Sequence, residues 1–367
     1  MIEPLKLTDL QTVAPGLQRV AHGYATAGSL RRIVYRIFTI LREVSAALPR
    51  DIARLLRAPT FVPLRMEGGG RPDSDATRVA LYVHYSASGR VSEMVRFQLE
   101  TLGRLGFSIV FISMAERIPE HDWQAVRQLS ALIVQRRNFG LDFGAWRDLL
   151  PEVRRRWSIP EELMLANDSV LGPIHPLAPL IETMRAGGEG LFGLTESLQG
   201  GPHLQSYMLL TRGKSAVEDL MHFIGTLRIS HSKWLLVQMG EVRLARWMLR
   251  RGHRVAALFG YDRLIQAALA DRYERKRVAE CYAKLGALDK LPDDQASALL
   301  HRWPLNPTHH LWRVLATRFR CPFLKTELVA RNPGRLPDVA EWAQIVPPDS
   351  PCPVAVIQAH LEIIKVR

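Results

Sequence analysis

Between residues 78 and 169, short apolar runs of strand length alternate with segments whose apolar residues recur at helical spacing. Arg78 to His84 (RVALYVH) predicts a first strand. Val91 to Gly106 reads as a helix ending at glycine, and Phe107 to Ser113 (FSIVFIS) as a second strand. A short helix over Asp122 to Leu129, a strand over Ala131 to Gln135 and a helix over Phe143 to Trp157 follow. A fourth strand, Leu163 to Ala166, runs into Asn167-Asp168-Ser169. Such alternation with short connections predicts an α/β fold, a mostly parallel sheet with helices on both faces. Ligands of such sheets bind beyond the carboxyl ends of the strands. His84-Tyr85-Ser86, Arg136 to Asp142 (RRNFGLD) and Asn167-Asp168-Ser169 are therefore expected to converge on one rim. No GxGxxG follows the first strand, and GxxxxGK[ST] is absent, which disfavours a dinucleotide dehydrogenase and a P-loop enzyme.

The flanks read differently. Leu30 to Leu48 carries Ile33, Val34, Ile37, Phe38, Leu41 and Val44 at helical spacing, with Arg31, Arg32, Arg36 and Arg42 between them. Two readings stand: a basic amphipathic helix lying on anionic lipid, or a helix packed on its own domain with its arginines in water. Met66 to Asp75 (MEGGGRPDSD) has turn-forming composition and reads as a linker. The expected units are a basic N-terminal helical region with linker over 1–75, a catalytic domain over 76–260 and a helical C-terminal region over 261–367. Residues 262 to 300 have a mainly helical pattern with no assignable function. No apolar run reaches 18 residues, and the first residues do not resemble an export leader, so a cytoplasmic location is expected.

Composition narrows the chemistry. The chain of 367 residues is 47% hydrophobic and 23% charged, enough for a sizeable core. Forty-nine Lys and Arg against 36 Asp and Glu leave a formal +13, which predicts an anionic partner: nucleotide phosphate, acidic membrane or nucleic acid. The arginines are spread over many helices without an aromatic-plus-basic recognition motif, so nucleic acid is the disfavoured partner. Cys281, Cys321 and Cys352 are too far apart for a patterned disulfide scaffold or a thiolate zinc site.

Several residues could carry chemistry. Asp168, at the end of an apolar strand, suits a divalent cation bridging a diphosphate, although spacing alone favours a helix cap or turn. Asn138, Gly140 and Asp142 lie between strand and helix. Glycine allows close backbone approach and Asp142 could accept from a sugar hydroxyl, although a plain turn capped by Asp142 fits too. Glu241, near the start of a predicted helix, could deprotonate an acceptor hydroxyl or be an ordinary first-turn glutamate. His203, Gln205 and Ser206 lead into a strand and could contact an acceptor. His309 or His310, in a predicted loop, could ligate metal or touch phosphate, or be structural. Lys325 could pair with a diphosphate or snorkel at the surface.

Together the segments RVALYVHYSASGRV, RRNFGLDFGAWRDLL, LMLANDSVLGPIHPL, LFGLTESLQGGPHLQSYMLLTR, NPTHHLWRVL and PFLKTELVARNP resemble the rhamnan synthesis protein F family, bacterial polysaccharide glycosyltransferases. The resemblance runs over roughly residues 78 to 335 and leaves out the N-terminal basic helix. It implies a GT-A-like, Rossmann-like nucleotide sandwich binding a nucleoside-diphosphate sugar, and transfer of a deoxyhexose, typically rhamnose, to a growing glycan or lipid-linked acceptor. It also implies that Asn167-Asp168-Ser169 stands where such enzymes carry a DxD metal motif for Mg2+ or Mn2+, here with one carboxylate. Glu241 would be the general base. His84, Tyr85, Ser86, Asn138, Gly140, Asp142, Asn167 and Lys325 would hold the donor, with inversion at the anomeric carbon. A non-catalytic glycan-binding protein and a sugar-phosphate transferase are the alternatives.

Overall fold

A computed structural model describes residues 2–10, 30–56, 61–71, 76–281 and 285–365. The strands are β1 (Thr8–Asp9), β2 (Arg65–Gly68), β3 (Arg78–His84), β4 (Ser108–Ser113), β5 (Leu132–Gln135), β6 (Glu162–Asn167), β7 (Val170–Leu171), β8 (Gly190–Ser197), β9 (His203–Leu204), β10 (Met208–Arg212), β11 (Val255–Phe259) and β12 (Leu324–Lys325). The helices used below are α1 (Leu30–Leu56), α2 (Glu93–Arg104), α3 (Glu120–Leu129), α4 (Leu141–Trp157), α5 (Ala178–Ala186), α6 (Lys214–Thr226), α7 (Lys233–Leu236), α8 (Val242–Arg250) and α9 (Tyr261–Leu269).

The main sheet runs β1-β11-β8-β10-β6-β3-β4-β5-β2, with β9 paired to β8. It is a mixed, mostly parallel sheet. The strands β3, β4, β5, β6, β8 and β11 point one way, while β10 and the edge strands β1 and β2 run against them. Side chains on each strand alternate between faces. Val79, Leu81 and Val83 pack with α4, α6 and α8 through Trp146, Leu220 and Met248. Ala80 and Tyr82 point the other way, into a core with Leu99 of α2, Trp123 of α3, Ile181 of α5 and Leu264 of α9. Both faces are covered, which is why the strands read as continuous apolar runs rather than alternating ones. The α/β expectation is met, with helical segments at both ends of the chain.

One expectation is corrected here. Met66 to Gly68 are not linker: they belong to β2, whose Met66 stands opposite Val134 of β5. The strand ends at Gly68, before Gly69 and Gly70, and the rest of the expected linker, residues 72–75, lies outside the described residues. A third apolar cluster forms beside the sheet, where Leu171 of β7 and Leu324 of β12 pack with Met94, Trp312 and Ile357. Through the β7–β12 pairing the C-terminal third is stitched to the segment that follows β6. Cys281, Cys321 and Cys352 are all free thiols. Among the described residues no helix is long and apolar enough to cross a membrane.

Candidate active site

All parallel strands end at the same edge, and a cavity of about 1830 Å³ opens there. Residues following five of the six enter it: Tyr85 and Ser86 after β3, Met114 after β4, Asn138 after β5, Asp168 and Ser169 after β6, Gln199 after β8. Because β10 runs antiparallel, its beginning lies at this edge, and this brings Gln205 and Ser206 to the same cavity. Asp142, Asn167, His203, Glu241, His309, His310 and Lys325 complete the predicted residues that line it. The expected convergence of Asn138 and Asp168 is thus observed.

The strand-end wall is built around carboxylates. Asp168 Oδ2 accepts from the Tyr85 backbone N–H at 2.8 Å. Burial nevertheless raises its carboxyl to about 7, with the nearby charge of Asp142 adding to the rise and the Tyr85 N–H opposing it. Asp142 is raised to about 6, chiefly by burial, against the pull of Lys325. Asn167 organises the pair: its Nδ2 donates to Asp142 Oδ2 at 2.8 Å, while its Oδ1 accepts from the Ser169 backbone at 3.1 Å and hydroxyl at 2.5 Å. Asp142 reaches this position through an unusual turn. Gly140 (φ 76°) and Leu141 (φ 49°) are consecutive left-handed residues, swinging the chain into the first turn of α4. A second carboxylate, from a different element, thus faces the cavity with Asp168.

Lys325 is not a snorkelling surface residue. Pairing of β12 with β7 sets it opposite Val170, its Nζ donates to Ser169 Oγ at 2.8 Å, and it lies 5.4 Å from the Tyr207 ring centre. Burial lowers its pKa, while Glu241 and Asp142 hold it up. One ammonium thus feels carboxylates from both sides of the site.

The other wall carries the proposed acceptor contacts. Ser206 Oγ donates to Glu241 Oε2 at 3.0 Å, and His203 Nε2 stands 3.8 Å from Glu241 Oε1. His203 Nδ1 lies 2.7 Å from the Gly201 carbonyl, so Nδ1 carries the proton. Gln205 accepts from Thr195 Oγ1 at 2.8 Å and donates to Thr308 Oγ1 at 3.2 Å, tying this wall to the C-terminal third. Glu241 is not in the first turn of a helix. The helix begins at Lys233, capped by Ser232, and Glu241 closes a π-helical turn over Val237–Glu241 before α8. Its position owes nothing to a macrodipole. The wide turn aims it, and such turns are frequent at functional sites.

Four further expectations are corrected. His84 does not line the cavity: its ring is buried against Phe111 at 5.4 Å, with Nδ1 3.0 Å from Ser113 Oγ and Nε2 4.0 Å from Asp168. Burial pushes its pKa down to about 4, so it is a neutral support behind Asp168. Gly140 makes no room for a ligand. A Cβ there would come within 2.0 Å of the Ile229 side chain, so its role is the turn and its packing. His309 and His310 sit in a helical turn, Pro307–His310, not a loop. Both are buried and pushed down to about 3 by burial, and the His310 Nδ1 accepts from the Asn306 N–H at 3.0 Å. With Asp168 they form no ligand set; among the described residues no three His, Cys, Asp or Glu side chains are grouped to hold a metal ion. Arg136 is likewise withdrawn from the rim into a buried pair with Asp148 at 2.7 Å.

The segment that carries most of this geometry can be compared with known proteins. Residues 109–269 match the family model of rhamnan synthesis protein F. The matched stretch holds Asn138, Asp142, Asp168, Ser206 and Glu241, whereas Tyr85, Ser86, His309 and Lys325 lie outside it. The rhamnan synthesis protein F match connects the chain with polysaccharide synthesis. A curated protein of Sinorhizobium fredii (strain NBRC 101917 / NGR234), named only as uncharacterized protein y4gN, is 26% identical over 195 residues, 52% of this chain. The chain spans about half the length of that relative.

Sequence reasoning missed Lys233, Gln238 and Asn306, which also line the cavity. A usable signal existed for Lys233: Ser232 caps the turn that follows it, so the helix start was one capping residue away.

Proposed function

We propose that the protein is a glycosyltransferase that moves a sugar from a nucleoside-diphosphate sugar to a hydroxyl of a growing polysaccharide. The family's name favours rhamnose or another deoxyhexose. The observation that carries the reading is the shared cavity, with two raised carboxylates and a lysine at the strand ends and Glu241 with Ser206 and His203 beside them.

Asn138 and the backbone around Tyr85 and Ser86 lie where a nucleotide would rest beyond the parallel strands. Asp142 and Asp168 fit a hard divalent cation held by one or two carboxylates plus phosphate oxygens and water. Such an ion supplies charge compensation to the diphosphate. Two carboxylates raised chiefly by burial, Asp168 also by the charge of Asp142 and Asp142 by that of Glu241, are the groups a cation would relieve. Lys325, a point charge aimed by Ser169, adds a fixed positive group near the leaving diphosphate. In the transfer step the acceptor oxygen attacks the anomeric carbon and its proton passes to Glu241. The bond from that carbon to the diphosphate oxygen breaks, the electron pair leaving with the nucleoside diphosphate. Attack opposite the leaving group inverts the anomeric centre.

The test is the identity of the released nucleotide when donors are presented with acceptor glycan and Mg2+ or Mn2+. Glycosyl transfer releases a nucleoside diphosphate. Release of a monophosphate would make the protein a sugar-phosphate transferase, and binding without release a non-catalytic glycan protein.

A further inference from the structure

Helix α1 presents its faces in reverse. Ile37, Phe38, Leu41, Leu48 and Ile52 are exposed by 53%, 61%, 62%, 56% and 47%. At 3.6 residues per turn they fall within an arc of roughly 100°, one continuous stripe. The two carboxylates of the helix point inward instead. Glu43 accepts from Ser232 Oγ at 2.7 Å and Trp234 N–H at 3.0 Å, and Asp51 from Ser230 Oγ at 2.6 Å and His231 N–H at 2.9 Å. A helix docked for its own stability buries its apolar stripe and shows water its charges. Here side-chain and backbone hydrogen bonds hold the polar face down, and the apolar face is left bare.

We infer that α1 docks the protein on an anionic lipid bilayer through this stripe. The helix contains six arginines, at 31, 32, 36, 42, 50 and 54, against the two carboxylates already engaged inward. A bare apolar stripe beside an excess of cations fits the boundary between headgroups and acyl chains of an acidic membrane. A second copy of the chain would satisfy the stripe but would pair two helices that each carry four more arginines than carboxylates. Thr39 and Glu43, on the face of α1 opposite the stripe, line the cavity, so docking would hold the cavity on the inner side of α1, one helix away from the bilayer surface. Only one corollary rests on the proposed transfer reaction: the acceptor would arrive on a lipid carrier.

The experiment is flotation of the full chain with phosphatidylcholine vesicles, with and without phosphatidylglycerol. Binding is expected with phosphatidylglycerol, falling as salt rises. The pair Phe38→Glu and Leu41→Glu should abolish it while leaving the circular-dichroism melt and nucleotide release in vesicle-free solution unchanged. Arg42→Glu should weaken it by roughly fivefold or more. Unbound wild-type protein, or binding untouched by the double substitution, overturns the inference. So does a wild-type dimer that the same substitution makes monomeric, which would assign the stripe to a second copy. Vesicle binding without any nucleotide release would count against the transferase reading alone.

Discussion

The carboxylates at the strand ends and the carboxylate of Glu241 share a cavity but not an environment. Asp142 and Asp168 are raised to about 6 and about 7, mainly by burial, and are held by Asn167 and a backbone N–H. Glu241 stands on a π-helical turn with a serine hydroxyl and a histidine ring as its neighbours. The same functional group is thus arranged for two tasks. Buried, mutually repelling carboxylates favour a cation or a proton between them, while a carboxylate beside a hydroxyl and an imidazole is placed to exchange a proton.

Substitution should separate the two walls. Glu241→Gln keeps the bond from Ser206 but cannot take a proton, and transfer should fall by roughly 10²–10⁴ with donor affinity unchanged. Steady-state kinetics beside equilibrium donor binding checks this; a parallel loss of affinity would erase the distinction between the walls. Gly140→Ala should destabilise the fold by about 2 kcal/mol or more, since a side chain would meet Ile229 in a left-handed backbone. Thermal unfolding measures it, and an unchanged melting temperature would show that the turn delivering Asp142 is less constrained than drawn.

Asp168→Asn should weaken metal-dependent binding of nucleoside diphosphate roughly tenfold, while stabilising the protein above pH 7 by about 1–2 kcal/mol. The sign follows from the raised pKa. The folded state holds protons that the unfolded state has released, so these acids stabilise at low pH and lose that contribution as pH rises from about 4 to about 7. Melting curves from pH 4 to 8 should show wild type losing stability relative to Asp168→Asn; parallel curves would contradict the raised carboxyl. The smallest effect concerns Lys325→Gln. Removing its charge should move the acidic limb of nucleotide binding toward higher pH, because Lys325 holds down the pKa of both Asp142 and Asp168. An unmoved limb would detach the lysine from the carboxylates.

The parallel half of the fold was legible because its strands are buried on both faces. Arg78–His84 is recovered with its predicted bounds, and the other three strands within one residue at each end. The strand-end residues followed from topology alone. Edge pairing was not legible, because β2 contains Gly68 and a single apolar residue, Met66, and is fixed by its partner β5 rather than by its own pattern. Glu241 is only partly legible: periodicity finds the helix but not the extra residue of a π turn. Asp142 as the partner of Asp168 was also out of reach, since residues 26 positions apart meet only through the Gly140–Leu141 turn and Asn167. The orientation of α1 is invisible to periodicity, which detects a stripe but not whether it faces the core.

The central claim is that the cavity accepts a sugar joined to a diphosphate beside Asp142 and Asp168. Thermal shift of the full chain with nucleoside diphosphates and nucleotide sugars, with and without Mg2+ or Mn2+, tests it most directly. The account predicts a rise in melting temperature with at least one nucleotide, larger with the metal and much reduced in Asp168→Asn. No shift with any nucleotide or nucleotide sugar, or a shift equal in Asp168→Asn, would contradict it.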